Sequence, residues 1–141
     1  MLTRIDHVGI ACRDLAKAIA FYESTFGLEV VSQEISTEQG VREAMLRVAD
    51  APAGTSYVQL LEPLGPDTPV GRFLARRGEG VHHIGYGVTD ITAALSSIGA
   101  AGVRLIDARP RHGSMGASIA FLHPAYIGGV LTELVQAPGP A

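Results

Sequence analysis

The chain has 141 residues, 47% hydrophobic and 18% charged, with a formal net charge of −3. That length provides one domain with a real core, the composition is globular rather than disordered or fibrous, and the acidic balance excludes the basic footprint of a nucleic-acid binder. The single cysteine, Cys12, excludes an internal disulfide, which with an N-terminus lacking a signal-peptide core leads us to expect a reducing cytoplasm, and no run approaches the roughly 18 apolar residues of a membrane span.

Residues 5–12 alternate and are rich in β-formers, predicting a strand with His7, Gly9 and Ala11 on one face and Val8, Ile10 and Cys12 on the other. Asp14 is placed to cap a helix over 15–25, whose apolar positions Leu15, Ala18, Ile19 and Tyr22 recur at helical spacing and which Gly27 stops. Residues 28–35, 41–49 and 56–62 predict three more strands, the first two joined by a turn over 37–40, so the first module reads β-α-β-β-β. The linker 63–71, rich in Pro and Gly, predicts neither helix nor central strand, and 72–77 predicts a short helix. A second module follows: strand 81–88, Asp90 capping a helix over 91–101, a strand over 103–107, a loop over 108–116, and strands over 117–122 and 129–136. The tail 137–141 should fray. The whole is one domain, 1–141, of two repeats (3–63 and 81–137) joined by 64–80.

The two modules repeat each other in sequence. IDHVGIACRDLAKAI (5–19) aligns with VHHIGYGVTDITAAL (81–95), setting His7 on His83, Gly9 on Gly85 and Asp14 on Asp90 at an offset of 76. YVQLLEP (57–63) aligns with LTELVQAP (131–138), setting Gln59 on Glu133 at an offset of 74. Each half thus offers one imidazole early and one side-chain oxygen late. On both His-bearing strands the rest of the His face is Gly or Ala, which leaves open space beside the ring, whereas a core face would carry Val, Ile or Leu. A lone His is most simply a hydrogen-bonded core or surface residue; two at equivalent positions, each facing small residues, read as metal ligands. Related by a pseudo-two-fold axis, His7, Gln59, His83 and Glu133 form an N2O2 set suited to a divalent cation such as Zn, Co, Ni, Mn or Fe.

The duplicated module with DHVGI, HHIGY, Gln and Glu at these places resembles the vicinal oxygen chelate superfamily (glyoxalases, bleomycin-resistance proteins and extradiol dioxygenases), over nearly the whole chain from Ile5 to Gln136. Within it, IDHVGIAC, FYESTFGLEV, EQGVREAML, YVQLLEPLGPDTPVGRFL, GVHHIGYGVTDI, FLHP and GGVLTELVQ are similar to the methylmalonyl-CoA epimerase family. The resemblance implies an α+β fold in which tandem βαβββ modules form a cupped, incomplete barrel around a metal, usually in a homodimer. It implies one divalent metal ion per chain, Co2+ first in vitro with Mn2+, Ni2+, Zn2+ or Mg2+ as alternatives, held by His7, Gln59, His83 and Glu133. It implies that Glu43 and Glu133 are the acid/base pair and that the reaction interconverts (2R)- and (2S)-methylmalonyl-CoA through a metal-stabilised enolate. Nucleic acid and membrane are not expected partners.

The residues bear on Glu43 independently. It stands mid-strand on the face of Val41 and Met45, and a carboxylate pointing into a sheet concavity is costly unless paired or used. The plainer alternative is an edge strand with Glu43 facing water. An offset of 74 makes Ala117 its counterpart, so the repeat accounts for the ligands and not for Glu43. Gln59 discriminates among activities: a glyoxalase I of bacterial type resembles a His/Glu/His/Glu pattern, and a metal-free resistance-type binding protein would have lost the ligands. Arg72, Arg76 and Arg77 could meet CoA phosphates, though a solvated helix face is the simpler reading. The loop 113–116 could present backbone N–H groups to a carboxylate, and ordinary loop glycines explain it equally well. His112 and His123 match no ligand position, and no phosphate-loop or dinucleotide fingerprint occurs.

Overall fold

The computed structural model describes residues 1–139. The chain divides into two compact units, His7–His82 and Met1–Asp6 with His83–Ala141. Strand β1 (Leu2–Ala11) leads into α1 (Leu15–Phe26), β2 (Leu28–Ser36), β3 (Val41–Val48), β4 (Tyr57–Pro63) and α2 (Pro69–Arg77). Then come β5 (Gly80–Val88), α3 (Ile91–Ala100), the two-residue β6 (Arg111–His112), β7 (Ser118–Leu122) and β8 (Thr132–Gln136).

Both units use one topology. In the first the strand order is β2-β3-β4-β1, with β1 parallel to β4 and the other pairs antiparallel. In the second it is β5-β8-β7-β6, with β5 parallel to β8 and the other pairs antiparallel. Tandem βαβββ modules of an α+β protein are therefore present as expected.

Alternation decides what each face buries. On one face of the first sheet, Cys12, Ala44, Leu46 and Leu60 pack under Leu15, Ala18, Ile19 and Tyr22 of α1. Leu46 and Leu60 are wholly buried there, each contributing about 1.5–3 kcal/mol. On the other face α2 covers Ala11, Val41 and Leu61 with Val70, Phe73 and Leu74. In the second unit α3 covers Val88, Ala120, Leu122 and Leu134 with Ile91, Ala94 and Leu95. Its opposite face carries Ala117, Ile119, Phe121 and Val135.

The helix starts repeat as well. Asp14 Oδ1 accepts from Lys17 N at 3.1 Å and Asp90 Oδ1 from Ala93 N at 3.0 Å. A side chain from the last strand of each module adds a second cap: Glu62 Oε1 accepts from Leu15 N at 3.0 Å, and Gln136 Oε1 from Ile91 N at 2.8 Å. Each satisfies a first-turn N–H that has no partner within the helix.

Four expectations are corrected. The linker is partly helical: α2 begins at Pro69, because Thr68 Oγ1 accepts from Gly71 N at 3.0 Å and a first-position proline has no N–H to lose. Gly71 is required there, since a Cβ would collide with the Gly65 carbonyl oxygen. Residues 103–107 form no strand, only a bridge from Leu105 to Leu122. The amides of Ile106 and Asp107 both donate to Phe121 O, and the Asp107 carboxylate takes the Phe121 amide, so a side chain occupies the place of a ladder partner. The short strand lies instead at 111–112, inside the expected loop. Finally β8 starts at Thr132, because Gly128 and Gly129, at φ 59° and 85°, continue the turn that follows Pro124–Tyr126. Of the tail expected to fray, Pro140 and Ala141 lie outside the described residues.

Candidate metal centre and active site

In the first unit three neighbouring strands bring the candidate residues to one sheet face. His7 on β1, Glu43 on β3 and Gln59 on β4 are 2%, 4% and 5% exposed. Gln59 pairs with Met45 on one side and Gly9 on the other. Glu43 pairs with Leu61, two residues along from Gln59 on the same face. The diagonal closes with a hydrogen bond: Gln59 Nε2 donates to Glu43 Oε2 at 2.8 Å. β3 lies between β2 and β4, so Glu43 is in the sheet interior and not at an edge facing water. A buried carboxylate needs such a donor, because burial without one costs several kcal/mol, on the order of 2–7 even for a neutral polar group.

In the second unit His83 on β5 and Glu133 on β8 are 3% and 4% exposed. Gly85 pairs with Glu133 as Gly9 pairs with Gln59, so a residue without a side chain flanks each oxygen donor. His83 Nε2 and Glu133 Oε2 are 3.9 Å apart, beyond a hydrogen bond and close to the spacing of two ligands each roughly 2.0–2.2 Å from a shared ion. Phe121, paired with Glu133, presses against His83 edge to face at 5.5 Å and 82°, which fixes the imidazole plane.

His7, His83 and Glu133 are thus three buried residues that could hold a metal ion. The donor chemistry, two imidazole nitrogens and a carboxylate oxygen, suits a borderline divalent cation.

Ladder register corrects one sequence alignment. Gln59 and Glu133 are equivalent, and they pair with Met45 and Phe121, so β3 and β7 correspond at an offset of 76. The counterpart of Glu43 is therefore Ile119, which pairs with Val135 as Glu43 pairs with Leu61, and not Ala117. The second unit has hydrocarbon where the first has an acid.

The other candidates fall elsewhere. His82 packs against the Phe73 ring at 5.0 Å, and burial pulls its pKa down from 6.5 to about 4, so it stays neutral. His123 Nδ1 accepts from Ala125 N at 3.1 Å, the work of a turn residue. Arg72 Nη1 donates to Asp67 O, while Arg76 and Arg77 lie exposed in the last turn of α2. Sequence reading missed the Asp107–Arg111–Phe121 group, because 108–116 read as loop. The signal was an acid and a base four residues apart ahead of a β-rich run.

The sequence profile of the Glyoxalase/Bleomycin resistance protein/Dioxygenase superfamily matches residues 6–121. A solved structure of a single-residue variant of Streptomyces coelicolor methylmalonyl-CoA epimerase, in complex with 2-nitronate-propionyl-CoA, is 52% identical; the match covers 99% of this chain and 100% of that one, with a TM-score of 0.94. The ethylmalonyl-CoA/methylmalonyl-CoA epimerase of Cereibacter sphaeroides is 36% identical over 96% of this chain and 99% of its own. The mitochondrial methylmalonyl-CoA epimerase of Homo sapiens is 37% identical over 96% of this chain and 75% of its own. The chain belongs to the Glyoxalase/Bleomycin resistance protein/Dioxygenase superfamily and, within it, to the methylmalonyl-CoA epimerase family.

Proposed function

We propose that this protein is a metal-dependent epimerase that interconverts (2R)- and (2S)-methylmalonyl-CoA by 1,1-proton transfer. His7, Gln59, His83 and Glu133 hold one divalent cation, Co2+ first in vitro and Mn2+, Ni2+, Zn2+ or Mg2+ as alternatives, and Glu43 and Glu133 are the acid/base pair. The observation that carries the reading is the buried Glu43 carboxylate held by the Gln59 amide at 2.8 Å. Support comes from relatives of that activity, including a methylmalonyl-CoA epimerase solved with methylmalonyl-CoA and 53% identical to this chain.

The C2–H of the substrate lies between a thioester carbonyl and a carboxylate. A divalent cation, when bound, supplies Lewis-acid stabilisation of the charge that develops on oxygen as that proton leaves. Glu43 accepts the proton on one face of C2, and Glu133 returns one to the other face. The configuration inverts, and no atom is gained or lost. In the reverse direction the two carboxylates exchange roles. The Gln59 amide does two jobs: its N–H2 aims Glu43, and its neutral oxygen keeps the ligand set less anionic than a second Glu would, which suits a substrate bringing its own carboxylate. The same contact disfavours a glyoxalase-type site, because a Glu at 59 would set two carboxylates against each other.

The enzyme acts in the cytoplasm and as a homodimer, and the dimer is supported by exposed aromatic side chains such as Phe21 and Phe26, which meet edge to face at 5.6 Å on α1. No helix among the described residues is long and apolar enough to cross a membrane.

The test is C2 proton exchange. Metal-loaded protein and one epimer of methylmalonyl-CoA in D2O should lose the C2–H signal while the other epimer grows in. No exchange with Co2+, Mn2+, Ni2+ or Zn2+ present rules the activity out.

A further inference from the structure

The two units repeat their ladder and not the chemistry at its outer strand. Glu43 pairs with Leu61 on one side and Glu34 on the other. At the matching position, Ile119 pairs with Val135 and with Arg111. One unit has two carboxylates where the other has a hydrocarbon and a guanidinium.

Directly paired residues share a sheet face. Arg111 therefore stands on the side of β7 that carries Ile119 and Phe121, the side on which β8 carries Glu133. Two neighbours lie beside its guanidinium. Nε lies 3.1 Å from Asp107 Oδ1, and the guanidinium carbon lies 6.0 Å from the centroid of the Phe121 ring. Asp107 is itself anchored, since its Oδ2 accepts from Phe121 N at 2.9 Å. Phe121 is the ring that abuts His83. The Arg111 side chain nevertheless keeps 32% exposure against 14% for Asp107.

We propose that Arg111 is a substrate-recognition residue that binds an oxyanion of the acyl-CoA substrate. The inference rests on the epimerase reading above. A guanidinium carries five donors in a rigid, planar fork whose geometry matches that of a carboxylate or phosphate oxyanion. The Asp107 carboxylate and the Phe121 ring both sit beside that fork and limit where it can swing. The corresponding residue in the first unit, Glu34, would repel the same anion. β6 is three strands from β5, about 14 Å at ~4.8 Å per strand, and the long Arg111 side chain leans back over Phe121 on β7. The substrate offers two oxyanions of one chemistry, the C2 carboxylate and the phosphates of CoA.

The test compares wild type with Arg111→Met and Arg111→Lys, using methylmalonyl-CoA, methylmalonyl-pantetheine (no phosphate) and propionyl-CoA as a competitive inhibitor (no carboxylate). Arg111→Met should raise KM for methylmalonyl-CoA by about tenfold to a hundredfold with kcat within about threefold, and Arg111→Lys should recover part of the loss. If the phosphates are bound, the KM effect vanishes with the pantetheine substrate and the propionyl-CoA inhibition constant rises in parallel. If the carboxylate is bound, the KM effect persists with the pantetheine substrate and propionyl-CoA inhibition is unchanged. An unchanged KM in folded Arg111→Met, or a loss confined to kcat, overturns the proposal. Should that variant not fold, Arg111→Gln is judged by the same criteria. Wild-type protein that exchanges no C2 proton overturns the epimerase reading, and this inference with it; active wild type with an indifferent variant overturns this inference alone.

Discussion

The Gln59 amide nitrogen and the Glu43 carboxylate meet at 2.8 Å in the interior of the first sheet, across a diagonal between β3 and β4. The bond fixes which way the amide faces, since a carboxylate accepts only from its N–H2 end. Gln59→Glu replaces a donor with a second anion at hydrogen-bond distance from the first. We expect kcat to fall at least about tenfold and the melting temperature to drop, because a buried like-charge pair must share a proton or separate. Steady-state rates and thermal melts on the same preparation check this. A variant with wild-type kcat would show that Glu43 does not depend on Gln59.

Glu43→Gln tests the acid/base assignment. It removes the acceptor of a proton while preserving size and burial, so turnover should fall by roughly a hundredfold to ten-thousandfold. Substrate affinity measured by calorimetry should stay within about threefold, as the proposed acid/base role requires. Full turnover by this variant would remove Glu43 from the mechanism.

Removal of the cation should abolish exchange and lower the melting temperature, and adding back Co2+ or Mn2+ should restore both. Ligand binding to the folded state alone stabilises it by about 2.7 kcal/mol at a hundred times Kd, so the thermal shift is a readout independent of activity. His83→Ala, which removes a ligand candidate, should lose that shift. A shift of wild-type size in that variant would place the metal elsewhere.

Cys12 is predicted to be inert. Its thiol donates to Leu61 O at 3.5 Å, and burial first, then the nearby Glu62, Glu79 and Asp14 carboxylates, raise its pKa from 9.0 to about 11. Near pH 8 the reactive thiolate is about a hundredfold scarcer than in an unfolded chain, so alkylation of native protein should be slower by at least that factor. The sign for stability follows: the unfolded thiol ionises near 9.0 while the folded one stays protonated, so stability is lost as pH rises from 9.0 toward 11. Melting curves through that window, compared with Cys12→Ala, isolate the contribution.

Much of this architecture was legible in the chain. The helices, the β-rich runs and the Asp14 and Asp90 caps follow from local rules, and the repeat of His7 on His83 and Gln59 on Glu133 pointed to residues that prove to be buried. What escaped was set by contacts distant in sequence. Residues 103–107 have the composition of a strand, yet the Asp107 side chain reaches fourteen residues on to the Phe121 amide and displaces the ladder. The start of α2 was hidden because the composition of 63–71 outweighed one threonine placed to cap it. The counterpart of Glu43 was misplaced by two residues because a single offset was carried from β4 onto β3, and only strand register shows that the offset differs.

The two caps that come from the end of each module have a further consequence. Leu15 receives its cap from Glu62, 47 residues on, and Ile91 from Gln136, 45 residues on. Neither first turn is fully satisfied until the closing strand of its own module has docked. The caps therefore act as latches that tie each helix start to the closing strand of its module, and native-state hydrogen exchange at the Leu15 and Ile91 amides should report opening of β4 and β8 rather than fraying of the helices that carry them.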